Sequence, residues 1–387
     1  MLTGADASAA LADAALADLF HPLAGRRGVV LAVSGGGDST ALLVLYARWR
    51  TLSRVAPPAV VATVDHGLRP DSADEAKAVA ALAGRLGLNH ATLPWAGEKP
   101  AGDLAAAART ARYRLLGAFA RARGCDTVAT AHTEDDQAET LLLRLARASG
   151  VDGLAAMRPA RPLDAGGDVL LARPLLQVSR AALRATLRDA GIAWVEDPSN
   201  TDPRHGRARM RALLPLLAVE GMTAGRLAVS ARRAARAVDA LEAATDALAA
   251  AALHHRADGS IEIDRAALAA APGEIGLRLL GRAVAAVGTP PPHGPRLDRL
   301  EAAFEAVAAA GPDVRRTLAG AVIDRRGDRI RLHRAPSRRP TATIVRADRE
   351  NHRSPRAWQD TPADLSLPAD AAVRVTGLGS AAPREPK

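Results

Sequence analysis

The stretch Ser34-Gly35-Gly36-Gly37-Asp38-Ser39-Thr40 decides how the rest of the chain is read. The apolar series Gly28-Val29-Val30-Leu31-Ala32-Val33 precedes it, and Ala41-Leu42-Leu43-Val44-Leu45-Tyr46 follows. A short β-branched run, a glycine turn and helix-period hydrophobics predict strand, loop and helix. Three glycines remove the Cβ atoms that would hold the backbone away from a ligand. Loop N–H groups and the positive end of the next helix then form a cradle for phosphate oxygens. This is not a Walker A loop, because no Gly-Lys-Ser/Thr follows. Asp38 stands where a lysine would, and a triphosphate would repel it. Its carboxylate either caps the helix or shares a magnesium ion with the phosphates. A glycine turn with an Asp/Ser cap is the plain alternative, and the remainder of the chain weighs against it.

Outward from the loop, strands and helices alternate. Ala59 to Val64 reads as a second strand running into Asp65-His66-Gly67-Leu68-Arg69-Pro70, residues 71–86 as an amphipathic helix, and His90 to Trp95 as a third strand. Residues 103–123 form a longer helix, Asp126 to Thr130 a fourth strand, and 134–148 another helix. The fold class is therefore α/β, a doubly wound parallel sheet covered on both faces, with ligands beyond the carboxyl ends of its strands. Three polar clusters fall at those ends: the glycine loop, Asp65-His66, and His132 to Asp136.

Residues 158–176 are rich in Pro and Gly and read as loop; a helix follows over about 179–189. Next comes Trp194-Val195-Glu196-Asp197-Pro198-Ser199-Asn200, then an arginine series (Arg204, Arg207, Arg209, Arg211) ending near Pro215. Residues 223–256 read as one long helix of roughly 50 Å at 1.5 Å per residue. Its Arg232, Arg233 and Arg236 either form a solvated face or meet phosphates. A smaller α+β unit follows, with a strand at Ser260 to Ile263, helices near 274–287 and 295–309, and strands around 316–324 and 328–333. The expected organisation is a catalytic domain over 1–218, a linker helix over 219–257, a small domain over 258–333, and a weakly structured basic tail over 334–387.

The 387 residues carry a formal net charge of +10, an excess that favours a polyanionic partner. A single cysteine, Cys125, excludes an internal disulfide and any two-cysteine redox or metal site. No apolar run approaches membrane-spanning length, and residues 5–20 carry Asp6, Asp13 and Asp18 without a basic start. A cytoplasmic protein without membrane attachment is the expectation.

Two clusters carry chemistry beyond the loop. Arg109 and Arg112, three apart on the 103–123 helix, share a face and could neutralise a departing pyrophosphate. In His132-Thr133-Glu134-Asp135-Asp136-Gln137-Ala138-Glu139-Thr140, the acids exceed what helix capping requires. Asp136 and Glu139 face the same way, suited to an ammonium group or a metal.

These motifs in this order resemble the tRNA(Ile)-lysidine synthetases, a family of N-type (PP-loop) ATP pyrophosphatases. The resemblance rests on the glycine loop, Val64 to Arg69, Ala105 to Tyr113, Ala131 to Thr140 and Trp194 to Asn200. It covers residues 25–215 well and the 223–333 unit more loosely. It implies an adenine nucleotide alpha hydrolase-like fold, ATP and Mg2+, free L-lysine, and the isoleucine tRNA with a CAU anticodon. Its wobble cytidine would be adenylated on O2 and then attacked at C2 by the lysine amine. Carried over onto this sequence, the ATP site comprises Ser34, Gly35, Gly36, Gly37, Asp38, Ser39, Asp65 and His132. Asp38 would hold magnesium, and Arg112 would steady the transition state. Asp136, Glu139 and Arg207 would bind lysine, and Asp38, Arg112, Asp136 and Glu139 make up the catalytic set. Arg204, Arg209, Arg232, Arg233 and Arg236 would meet tRNA, together with the 258–333 domain. A homodimer is left open. Asp103 stands where an asparagine is common, and the terminal region lacks a convincing second C-terminal domain. Within the superfamily, a tRNA thiolase commonly needs catalytic cysteines, and a small-molecule amide synthetase needs an ammonia source. Neither fits this composition as well.

Overall fold

The computed structural model describes residues 9–68, 71–97, 99–100, 102–164, 166–196, 202, 204–289 and 294–336. The tail from residue 337, Arg69-Pro70 and Asp197 to Asn200 lie outside them. The described chain divides into two compact units, one reaching Ala240 and the other starting at Leu241.

The first unit contains β1 (Val29–Ala32), β2 (Ala59–Asp65), β3 (Asn89–Pro94), β4 (Thr127–Ala129), β5 (Ala160–Pro162) and β6 (Leu170–Ala172). They form one sheet in the order β3-β2-β1-β4-β6-β5, parallel except for the antiparallel edge pair β5–β6. Its helices are α1 (Leu16–Phe20), α2 (Gly37–Leu52), α3 (Ser72–Arg85), α4 (Leu104–Ala122), α5 (Glu134–Leu145), α6 (Val151–Leu154), α7 (Arg180–Asp189) and α8 (Gly206–Val219). A ninth, α9 (Ala224–Ala252), begins in this unit and ends in the second.

Alternation along β1 explains the double winding. Val29 and Leu31 pack with α1, α2, α3 and α7, whereas Val30 packs on the opposite face with Leu116 and Phe119 of α4. Helix α2 is buried along most of its length, and the rings of Phe20, Tyr46 and Trp49 lock α1 onto it at centroid distances of 5.2–5.7 Å. That anchorage holds the glycine loop at the carboxyl edge of β1. A third cluster joins Ala138 and Leu141 of α5 to Leu214 of α8 and Leu227 of α9.

In the second unit, β7 (Leu253–His255), β8 (Ile261–Asp264), β9 (Val314–Leu318), β10 (Ala321–Arg326) and β11 (Arg329–Arg334) form an antiparallel sheet. Its apolar face packs against α10 (Arg265–Ala270), α11 (Gly273–Val287) and α12 (Leu297–Ala308).

Three local expectations need correction. The 158–176 loop contains β5 and β6, three-residue strands too short to show periodicity but paired to β4 through Leu171↔Val128 and its neighbours. The long helix stops at Ala252, because Leu253 to His255 pair with β8 instead. The 316–324 strand is two strands joined at Ala319 and Gly320, both with positive φ (48° and 77°), the signature of a tight hairpin turn. Pro215, near which the arginine series ends, lies inside α8; it removes one backbone donor, and Leu214 stays docked on α5.

Candidate active site

Glycine is required in the loop for distinct reasons. Gly35 has φ +89°, a conformation that side chains other than glycine's disfavour. At Gly37 a Cβ would meet the Trp194 indole at 3.1 Å. The Trp194-Val195 segment lies along the loop, with the Val195 N–H donating to the Gly35 carbonyl at 3.0 Å. Ser39 ties the turn from within: its Oγ accepts from the Ser34 N–H at 3.1 Å and donates to the Gly36 carbonyl at 2.9 Å. The N-cap of α2 is Gly36, which supplies no capping side chain. First-turn N–H groups of a helix have no intrahelical acceptors, so this terminus presents donors and positive potential at the carboxyl edge of the sheet.

Asp38 therefore does not cap the helix. Its Oδ2 accepts from Arg180 Nε at 3.2 Å. Burial raises the Asp38 pKa, with Asp136 and Asp135 adding to the rise, and Arg180 only partly opposes them.

Arg180, the first residue of α7, is the centre of the site. Its guanidinium also lies 3.4 Å from Asp136 Oδ1, 3.5 Å from Glu139 Oε1 and 3.9 Å from Asp135 Oδ1. Asp136 is fixed by a capping box, accepting from the Thr133 N–H at 2.9 Å while Thr133 Oγ1 accepts from the Asp136 N–H. Burial works against its charged form, but Arg180, the Thr133 bond and Arg207 outweigh it and hold its pKa low. Glu139 is fully buried. Its Oε1 accepts from Arg211 Nε at 2.9 Å, whereas Oε2 has no hydrogen-bond partner among the described residues. Arg207 and Arg211 are four apart on α8 and share the face whose Leu214 packs against α5. This packing brings Arg207 to 3.9 Å from Asp136.

A second wall is cationic. Burial lowers the Arg112 pKa, and Arg109 and Arg207 reinforce the effect with like charge. Arg112 Nη2 lies 3.5 Å from His66 Nε2, and Arg109 stacks over the Tyr113 ring at 5.1 Å. His132 bonds through Nδ1 to Thr130 Oγ1 at 2.9 Å, and burial keeps it neutral well below the usual imidazole range.

Residues 10–217 match the model of the PP-loop domain family. A tRNA(Ile)-lysidine synthase from Bradyrhizobium sp. (strain BTAi1) is 48% identical over 341 residues, covering 83% of this chain and 94% of its own length. The tRNA(Ile)-lysidine synthase of Rhodopseudomonas palustris is 49% identical, covering 80% of this chain and 91% of its own. That of Methylobacterium sp. (strain 4-46) is also 49% identical, covering 81% and 91% respectively. This chain belongs to the tRNA(Ile)-lysidine synthase family of PP-loop proteins.

In this family member, several of the other expected site residues engage local partners. Asp65 uses Oδ1 to accept from the Gly67 N–H at 2.9 Å, a turn-forming bond. Arg204 is exposed and pairs with Asp202 at 2.6 Å. Arg209 donates to the Arg204 carbonyl at 3.0 Å. Arg233 and Arg236 are carried on α9; burial and the neighbouring Asp135 raise the Glu134 pKa, and Arg232 on the same helix only partly opposes them. Among the described residues, no group of three or more His, Cys, Asp or Glu side chains converges to hold a metal. Magnesium carried by a polyphosphate needs only one or two carboxylates from the protein, a demand Asp38 suits.

Arg180 escaped the motif reading, although a local signal existed. A cation in the first turn of a helix opposes the helix dipole, so an arginine directly after the N-cap Ser179 needs a compensating anion. Nothing local identified the anions, which lie on α2 and α5.

Proposed function

We propose that the protein is a tRNA(Ile)-lysidine synthase: it ligates L-lysine to C2 of the wobble cytidine in the CAU-anticodon isoleucine tRNA. ATP is consumed through an adenylated tRNA, and diphosphate and AMP are released. The observation that carries this reading is the meeting, at one guanidinium, of the carboxylate of a phosphate-binding loop with two acids suited to an ammonium group.

In the first step, the cytidine O2 attacks the α-phosphorus of ATP and diphosphate leaves. The loop N–H groups and the α2 terminus hold the departing phosphates, and Arg112 with Arg109 neutralises their charge. Magnesium, when bound, would shield the phosphates, with Asp38 as its protein ligand. Adenylation makes C2 electrophilic. The second step needs lysine held by charge: Asp136 and Glu139 accept its ammonium, and the buried Oε2 of Glu139 supplies a free acceptor. Neutral His132 adds no positive charge to repel it. The amine, its proton released to solvent, attacks C2; the C2–O2 bond breaks and AMP departs with that oxygen. Arg204, Arg209, Arg232, Arg233, Arg236 and the second unit would track the tRNA backbone.

Mass analysis of the isoleucine tRNA after incubation with enzyme, ATP and labelled lysine tests the reading. A single lysine-labelled cytidine at the wobble position is expected. Pyrophosphate release without lysine incorporation would point to another PP-loop activity.

A further inference from the structure

We propose that Arg180 is a positioning residue that couples the two half-reactions, by sharing one guanidinium between the phosphate-loop carboxylate Asp38 and the acid pair Asp136 and Glu139. The inference rests on the functional reading above and adds a thermodynamic link between its two subsites.

The geometry is that of a shared cation. Charge-assisted N–H···O bonds settle at about 2.7–2.9 Å when a guanidinium commits to one carboxylate. Arg211 does so with Glu139, at 2.9 Å. Arg180 instead stands 3.2–3.9 Å from four carboxylates on two helices, with only 14% of its side chain exposed. It is held by all of them and saturated by none. Its backbone is fixed more firmly: the N–H donates to Asp135 Oδ2 at 2.7 Å, and the Ser179 hydroxyl caps the helix. The head group can therefore shift while the main chain stays in place.

Around this point the arginines 180, 207 and 211 face Asp38, Asp135, Asp136 and Glu139, leaving an excess of one negative charge. Glu139 Oε2, fully buried and without a hydrogen-bond partner among the described residues, is the acceptor left over. A polyphosphate bound at the loop, still net negative when it carries one magnesium ion, brings negative charge to the Asp38 side. It draws the guanidinium toward the loop and away from Asp136 and Glu139, whose oxygens then become available to an amino-acid ammonium. Nucleotide binding consequently strengthens lysine binding, and by linkage lysine strengthens nucleotide binding by the same factor.

The test is equilibrium dialysis of labelled L-lysine against the full chain, with and without α,β-methylene ATP, for the wild type, Arg180→Lys and Asp38→Asn. For the wild type, the analogue should tighten lysine binding about fivefold or more, with the reciprocal effect on the analogue. Lysine at 180 keeps the charge but cannot span two carboxylates, so the factor should fall below about twofold. Asp38→Asn cuts the arm to the loop and also weakens the nucleotide site, so it is measured at saturating analogue, where coupling should be abolished equally; it carries the test if Arg180→Lys does not fold. A wild-type factor of one, or full coupling in both variants, overturns the inference. Failure of lysine to bind the wild type in either condition removes the functional reading as well, and so is distinguishable from failure of the coupling alone.

Discussion

Replacing Glu139 by glutamine isolates charge from shape. The amide is nearly isosteric, and its oxygen can take the place of Oε1 against Arg211 Nε, now 2.9 Å away. The NH2 group takes the place of Oε2, exchanging one unpartnered buried atom for another at little net cost. What disappears is the charge facing Arg211 and Arg180. Removing one partner of a fully buried pair costs about 3–5 kcal/mol. Here Arg211 is 35% exposed and Arg180 keeps three other carboxylates, so about 1–2 kcal/mol of stability should be lost. The functional effect should be larger and confined to one substrate. A hydrogen bond to a charged group contributes about 1.5–3 kcal/mol, so the lysine KM should rise about 10- to 150-fold. Steady-state AMP release at varied lysine measures this, and pyrophosphate release without lysine reports adenylation, which should change less than about threefold because Glu139 is not asked to touch the nucleotide. An unchanged lysine KM, or an equal loss in both assays, would refute the assignment of Glu139 to the amino acid.

Gly35→Ala should destabilise the protein by about 1–2 kcal/mol in urea melts. Its φ is +89° while the nearest side-chain atom to a new Cβ lies at a comfortable 3.5 Å, so the cost is in the backbone; unchanged stability would show that the loop relaxes. Burial holds His132 neutral in the folded state, where its pKa falls below that of the unfolded chain. The unfolded state then binds the extra proton below about pH 6.5, and stability should fall as pH drops through that value, by up to about 1.4 kcal/mol per pH unit for one group. His66 and His90 are shifted the same way by burial, and His132→Asn should flatten the slope only in part. Simultaneous Arg233→Ala and Arg236→Ala should weaken tRNA binding and reduce the slope of log K against log salt by about 0.7–0.9 for each phosphate no longer neutralised. An unaltered slope would return these arginines to a solvated face.

The local grammar of the first unit is legible because its causes are local. Strand β1, the glycine turn and α2 follow from the apolar period and from residues within a few positions of one another. The capping box at Thr133 and Asp136 is equally short-range. The segments that misled are those where partners outweigh pattern. Strands β5 and β6 exist because β4 offers a free edge, and the Ala319-Gly320 hairpin interrupts what looks like one continuous strand.

The sequence by itself determined that a phosphate-binding turn, an acidic helix start and several arginines belong to one α/β sheet. Only the tertiary structure decided which charges neutralise which. Arg180 and Asp38 are 142 residues apart and meet because α2 and α7 pack on the same face, while β4 beside β1 brings α5 to the same edge. Coulomb energy depends on distance through space, and no periodicity along the chain encodes that distance.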